Sequence, residues 1–72
     1  MILHNIPSIR INGSSNLQIY NHKGLKTVSD KLIEICSSIG LVCIDGKSLQ
    51  ITEISNDFVS VNGKISKIYY KE

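Results

Sequence analysis

The two cysteines, Cys36 and Cys43, are the side chains of this 72-residue chain whose type and spacing come closest to chemistry. Two neighbouring thiols can form a disulfide, act as a redox switch or supply half of a metal site. A turn centred on residues 39–40 would place them directly opposite each other on adjacent antiparallel strands. The alternative is a pair of small, semi-buried apolar side chains in a reducing compartment, and the burial tendency of cysteine favours it.

The histidines do not complete a metal site or a catalytic triad. Zinc needs about four Cys, His or carboxylate ligands at characteristic spacings, and His4 and His22 do not fit such a pattern with the cysteines. A nucleophile would need a histidine oriented by a carboxylate, and His22 with Asp30 and one of many serines is a combination that chance supplies easily. We therefore predict no enzyme, no metal and no other cofactor.

Two acids, Glu34 and Asp45, would face each other across the same hairpin as the cysteines. Paired carboxylates can hold a cation or raise each other's pKa. Because acidic side chains are mostly exposed in folded proteins, the favoured interpretation is two solvated surface acids.

A polar phrase, Asn21-His22-Lys23-Gly24, interrupts the apolar alternation. In one interpretation it is a recognition loop that presents an imidazole and an ammonium group to a partner. In the other it is a turn, in which Asn and Gly supply unusual backbone angles and His is tolerated. These four residues are candidate partner-binding residues.

Tyr69 and Tyr70 stand next to each other near the end of the chain. Successive side chains of a strand point to opposite faces, so one tyrosine should pack inward and the other should be exposed. An exposed tyrosine beside Ile68 on an edge strand would suit an interface. Tyr70 is therefore the fifth candidate partner-binding residue.

The segments that must position these residues repeat about every 17 residues. An apolar alternation ends at Ile11, Val28, Ile44 and Val61, in steps of 17, 16 and 17, and turn-forming residues follow each time. The repeat predicts hairpins. The predicted strands are 8–11, 16–21, 25–28, 32–36, 41–44, 49–54, 58–61 and 65–70.

The same pattern makes three local predictions. Segment 32–36 also has a helical spacing, but its dense β-branched residues favour a strand. The loop 45–48 would pair Ile44 with Leu49 and Val42 with Ile51, which makes these four residues core. Asn62-Gly63 is a strong hairpin signal, and the spacing of three between Ile65 and Ile68 predicts a bulge.

Short turns between many short strands predict an all-β fold of seven to eight strands, arranged as a small antiparallel roll or sandwich. The alternative is a short β-solenoid, because like residues would stack at the repeat period. A chain of this size leaves strand edges unprotected and buries a small core. We therefore expect self-association.

Charge and composition limit the partners. Eight Lys and Arg against six Asp and Glu leave a net charge of +2, and the basic residues are scattered singly. Such a distribution provides no patch for nucleic acid or anionic lipid. No apolar run approaches the roughly 20 residues of a membrane span, and residues 1–7 lack the pattern of a secretory signal. We expect a cytoplasmic protein.

Three phrases carry a family resemblance: residues 16–25, residues 38–51, and residues 59–65 with the closing Ile68-Tyr69-Tyr70. They resemble the YabP/YqfC family of bacterial sporulation proteins over roughly residues 6–70, with the closer likeness to YqfC. The most specific element is Asn-His-Lys-Gly at residues 21–24. A departure is Ser8, which follows the proline where the family has a basic residue.

The resemblance implies a single β domain over residues 1–72, made during sporulation and associated with spore envelope or coat formation. The family has no established enzymatic activity, so the resemblance supplies no catalytic residues. The expected function is a small scaffolding or protein-interaction module, whose partners are itself and another sporulation protein. The alternative is a small-molecule or cation-binding β domain.

Overall fold

A computed structural model describes residues 6–71, so that His4 lies outside the described residues. Six strands form one antiparallel sheet in the order β1-β2-β6-β5-β4-β3. The strands are β1 (Ser8–Asn12), β2 (Asn16–Tyr20), β3 (Leu25–Val28), β4 (Leu32–Ser37), β5 (Gly40–Ile54) and β6 (Phe58–Lys71). Within residues 6–71 there is no helix that is long and apolar enough to cross a membrane.

The two long strands divide the sheet into two halves. In half A, residues 58–62 of β6 lie between β2 and residues 50–54 of β5, and β1 pairs with the other side of β2. In half B, residues 41–45 of β5 lie between β4 and residues 67–71 of β6, and β3 pairs with the other side of β4. Each half is therefore a hairpin followed by one segment from each long strand.

The halves are related by an internal pseudo-twofold symmetry that explains the sequence repeat. In each half, two rows of apolar residues run across the four strands, and the repeat positions Ile11 and Val28 begin equivalent rows. The rows of half A are Ile11, Leu17, Val61, Ile51 and Ile9, Ile19, Val59, Ile54. The rows of half B are Val28, Ile33, Ile44, Ile68 and Leu25, Ile35, Val42, Tyr70.

The central members of these rows form one core shared by both halves. The buried cluster consists of Leu17, Ile19, Ile33, Ile35, Val42, Ile44, Leu49, Val59 and Val61. All but Leu49 are completely excluded from solvent. A flat sheet cannot bury its own face, and the described residues include no helix to cover it, so the two halves pack against each other. The predicted all-β roll or sandwich is confirmed, and its antiparallel ladders exclude the solenoid.

The strand count is six instead of seven to eight because two predicted turns lie inside the long strands. Residues 45–48 belong to β5, and Asn62-Gly63 belongs to β6. A Cβ atom on Gly46 would overlap the carbonyl oxygen of Lys64, and one on Gly63 would lie 2.6 Å from the carbonyl oxygen of Ser48. The glycines therefore permit the close approach of two strands. In the sequence, a glycine with this role looks the same as a glycine in a hairpin turn.

The predicted pairing across residues 45–48 is consequently wrong, although the predicted burial holds. Ile44 pairs with Ile33 and Ile68 instead of Leu49. Val42 likewise pairs with β4 and with Tyr70 instead of Ile51. All four residues nevertheless belong to the core or pack against it, because alternation determines which face a residue occupies without determining its partner.

The cysteine hairpin has a different register from the predicted one. Ser37 pairs with Gly40, so the turn is at residues 38–39, and Cys36 pairs with Leu41. Serine first and glycine last is the preference of a type I turn. Cys36 and Cys43 are diagonal neighbours, typically about 7–8 Å apart, which is too far for a disulfide without backbone movement. Both cysteines are free.

Other local predictions are confirmed. Residues 32–37 form a strand, and the register between β5 and β6 shifts where Asp45 pairs with Lys67 but Gly46 pairs with Ile65, as a bulge requires. The Ser55 hydroxyl accepts hydrogen bonds from the backbone N–H groups of Asp57 and Phe58, which builds the predicted polar turn between β5 and β6. Short polar side chains that bond the backbone are typical of such turns.

Candidate functional site

The loop of residues 21–24 connects half A to half B. Asn21 has a φ of 65° and Gly24 a φ of 113°, so the two residues supply the unusual backbone angles of a turn. The N–H of Asn21 donates to the carbonyl of Asp57 at 2.9 Å, and the N–H of Lys23 donates to the carbonyl of Cys36 at 2.7 Å. The loop is thereby bonded to strands or turns of both halves.

His22 lies inside this loop, half-buried, with both ring nitrogens hydrogen-bonded. Its Nδ1 accepts a hydrogen bond from the N–H of Gly24 at 3.0 Å. That bond assigns the proton to Nε2, which donates to the carbonyl of Ser55 at 2.8 Å. The imidazole therefore fixes the loop to the turn between β5 and β6, and Lys23 is the exposed cation beside it.

The side chain of Asn21 also bonds within the chain, because its Nδ2 donates to the carbonyl of Ile6 at 3.1 Å. Of the four loop candidates, Lys23 is thus the one whose side chain has no evident bond to another residue within 6–71. The turn interpretation accounts for the backbone of this loop, and the recognition interpretation applies chiefly to Lys23.

Tyr69 and Tyr70 lie on opposite faces, but both are exposed, by 39% and 49%. The prediction that one would pack inward is wrong. Tyr70 faces the core side beside Val42. It is exposed because it is on the last strand of half B, and no other strand of the described part of the chain lies beside it. The loop meets β4 at Cys36, two strands away from Tyr70, so the five candidates do not form one site.

A polar row crosses the outer face of half B, and its importance is not evident from the sequence. It runs through Thr27, Glu34, Cys43 and Tyr69 on four adjacent strands. The Thr27 hydroxyl donates to Oε1 of Glu34 at 2.7 Å, the Cys43 thiol donates to Oε2 at 3.8 Å, and Nζ of Lys71 lies 4.0 Å from Oε2. Glu34 therefore ties the four strands together.

The predicted solvated pair of acids is wrong. Glu34 is buried and lies opposite Cys43, whereas Asp45 lies opposite Leu32 and contacts Lys67 at 3.7 Å. The displaced register of the hairpin accounts for this difference. Predicting that an acid, a thiol and the Thr27 hydroxyl lie in one row would have required the correct strand register. Alternation alone does not predict which residues lie opposite each other.

The ionisation of this row argues against a reactive thiol. The hydrogen bond from Thr27 is the main cause that lowers the pKa of Glu34, against the opposing effect of partial burial. Burial, reinforced by the Glu34 carboxylate, raises the pKa of Cys43, and burial followed by Asp45 raises the pKa of Tyr69. A nucleophilic cysteine needs a lowered pKa, so Cys43 is a protonated hydrogen-bond donor.

Metal binding has no evident site in the part of the chain that the structure describes. Residues 6–71 contain no group of three or more His, Cys, Asp or Glu side chains that could hold an ion. The fold does offer strand edges that no other described strand pairs with. In half A these edges are β1 and residues 50–54 of β5, and in half B they are β3 and residues 67–71 of β6.

Comparison with known proteins gives one family. The YabP family model matches residues 4–72. No curated protein and no solved structure matches the chain.

Proposed function

The chain belongs to the YabP family, and from this premise we propose that it is a non-enzymatic scaffolding module of spore envelope or coat formation that self-associates. Membership of the family indicates a sporulation-related protein and no known enzyme class. The proposed site of action is the cytoplasm of the sporulating cell, at the forespore surface. The closer likeness to YqfC stays a prediction.

The observation that carries this proposal is the exposed sheet edge. Unpaired N–H and C=O groups of an edge strand are a template for another strand. The described chain has two such edges in each half, and it exposes Tyr69 and Tyr70 at one of them. Tyrosine is enriched at the centres of protein interfaces, and the buried thiol of Cys43 is protonated. These features support binding to protein over catalysis.

Self-association is tested by sedimentation velocity over a concentration series from about 1 to 500 μM. That range brackets the affinity expected of a small interface. A weight-average mass that rises toward a multiple of 8.0 kDa supports the proposal. A strictly monomeric particle over the whole range overturns it. Cation titration of the same samples addresses the alternative of a cation-binding domain, for which a metal-dependent shift in mass or thermal stability would be required.

We propose a second partner, another sporulation protein that contacts the loop of residues 21–24 through Lys23. Tagged chain would be used to capture partners from sporulating cells, and the Lys23→Ala variant would be compared with wild type. Lys26→Ala is the matched control, because Lys26 is also exposed but lies on β3. Loss of one captured protein with Lys23→Ala alone supports the loop as the contact. Equal capture by both variants overturns it.

A further inference from the structure

The four free edges differ in how well they are protected against strand pairing. Natural edges are shielded by short strands, by bulges, by proline and by charge. β3 has four residues and a register shift after Leu25, and the 50–54 segment has a register shift between Ile51 and Glu53. β1 follows Pro7 and carries Arg10, which forms no ion pair with a described residue.

The remaining edge, residues 67–71 of β6, lacks these protections. It pairs with residues 41–45 without any register shift. Its two lysines would normally shield an edge, but Nζ of Lys67 lies 3.7 Å from Asp45 and 5.1 Å from the centre of the Tyr69 ring. Lys71 lies 4.0 Å from Glu34. Both cations therefore contact acids of their own sheet although their side chains are mostly exposed, and the edge is regular, charge-compensated and flanked by exposed tyrosines.

The side chains on this edge select one antiparallel register with a second copy. In an antiparallel pair, residues directly opposite each other point to the same face of the sheet. A twofold pairing of two copies is therefore symmetric about a residue, because only then does the core-facing side of one copy continue into that of the other. Symmetry about Lys67 opposes Lys67 to itself, and symmetry about Tyr69 opposes Lys67 to Lys71. Like charges directly opposite are destabilising. Symmetry about Tyr70 pairs only residues 69–71 of the described strand. Symmetry about Ile68 instead opposes Ile68 to itself and Lys67 to Tyr69, which are favourable apolar and cation–π pairs.

We propose that the chain forms a twofold dimer in which residues 66–70 of β6 pair antiparallel with the same residues of a second copy, centred on Ile68. This inference rests on the proposed self-association and specifies its surface and register. The contact is isologous, so it closes at two copies. The sheet then continues from half B of one protomer into half B of its partner.

The test is disulfide trapping with one cysteine at the symmetry centre. In a background of Cys36→Ser and Cys43→Ser, the Ile68→Cys variant places two thiols directly opposite each other, within the range of a disulfide. The matched control is Tyr70→Cys on the same face and edge, whose copies would be four residues out of register and too far apart. Arg10→Cys, in the centre of β1, tests whether copies pair through the β1 edge instead. Circular dichroism verifies that each variant is folded.

Under mild oxidation we expect at least about tenfold more disulfide dimer with Ile68→Cys than with either control, because bridging requires Cα atoms within about 7 Å. Preferential trapping of Tyr70→Cys or Arg10→Cys, in a chain that sedimentation finds to be self-associated, overturns this register or edge and leaves the proposed function intact. A monomeric wild type that traps no variant overturns both. If Ile68→Cys does not fold, Lys67→Cys mixed with Tyr69→Cys tests the same register, because the mixture should crosslink faster than either variant alone.

Discussion

Halves A and B have equivalent cores and different outer faces. Their inward rows are apolar at every position on equivalent strands. The equivalent outward rows are Arg10, Gln18, Ser60 and Glu53 in half A, and Thr27, Glu34, Cys43 and Tyr69 in half B. The repeated apolar positions therefore specify the same packing twice, whereas the outward row is free to differ, and only half B uses it to hold a buried carboxylate.

The largest expected effect is in the core, where the halves should behave alike. Ile19 and Ile35 occupy equivalent row positions and are both completely buried. We expect Ile19→Ala and Ile35→Ala each to lower the free energy of unfolding by about 2–5 kcal/mol, because both leave a cavity. The measurement is urea unfolding, with Ile→Val at each position as a milder control that costs about 0.5–1.5 kcal/mol.

Equal costs would confirm the pseudo-twofold symmetry in energetic terms. If one Ile→Ala variant lost several times more unfolding free energy than the other, the stability of the fold would come mainly from one half. Because a domain of this size has a total stability of only about 4–11 kcal/mol, a variant that does not fold counts as the upper limit of the expected range.

The next largest effect should be at the crossing of the two long strands. We expect Gly46→Ala and Gly63→Ala each to cost at least about 2 kcal/mol, since the new Cβ meets main-chain atoms that cannot rotate away. Gly13→Ala is the matched control, because Gly13 has a φ of 65° but open space around it. It should cost about 1–2 kcal/mol from backbone strain alone. Similar values for all three variants would contradict the close approach.

These glycines also mark the limit of what the sequence predicts. Alternation identifies the inward face, so the core residues and the fold class follow from it. Partner choice does not follow, because Asn62-Gly63 has the same composition in a hairpin and in a crossing. The acid–thiol row was hidden for a related reason: the turn at residues 38–39 differs by one residue from the expected centre, which moves Glu34 from Asp45 to Cys43.

The third prediction concerns pH and separates the two halves. The pKa of Glu34 is lowered in the folded chain, so its stabilising contribution is present above its unfolded pKa and is lost as the pH falls through the lowered folded value. Glu34→Gln should therefore destabilise the chain at pH 7 and make little difference at the acid end of the range. The measurement is urea unfolding of both proteins between pH 7 and pH 2.

Gln18→Glu is the control for this prediction, because Gln18 occupies the equivalent position in half A, where Arg10 and Ser60 are its neighbours. Its introduced carboxylate lies opposite Arg10 and within reach of the Tyr20 hydroxyl, so it should gain a pH dependence of the same sign that depends on Arg10. Adding Arg10→Gln should remove that dependence, whereas the pH dependence of Glu34 should be unaffected by Arg10→Gln. A stability difference between wild type and Glu34→Gln that stays constant down to pH 2 would be incompatible with the ionised, hydrogen-bonded carboxylate.

The smallest effect is one of thiol reactivity, with no change in stability. Cys36 is half-buried, whereas Cys43 is completely buried and its pKa is raised. Because the thiolate is the reactive form, we expect iodoacetamide to modify Cys36 at least about tenfold faster than Cys43 at pH 8. Peptide mass spectrometry of a time course measures both rates, and Glu34→Gln should narrow the gap by removing a charge that opposes thiolate formation. Faster modification of Cys43 in the folded wild type would instead make it an activated thiol, and the outer row of half B would then be a site of chemistry where half A has none.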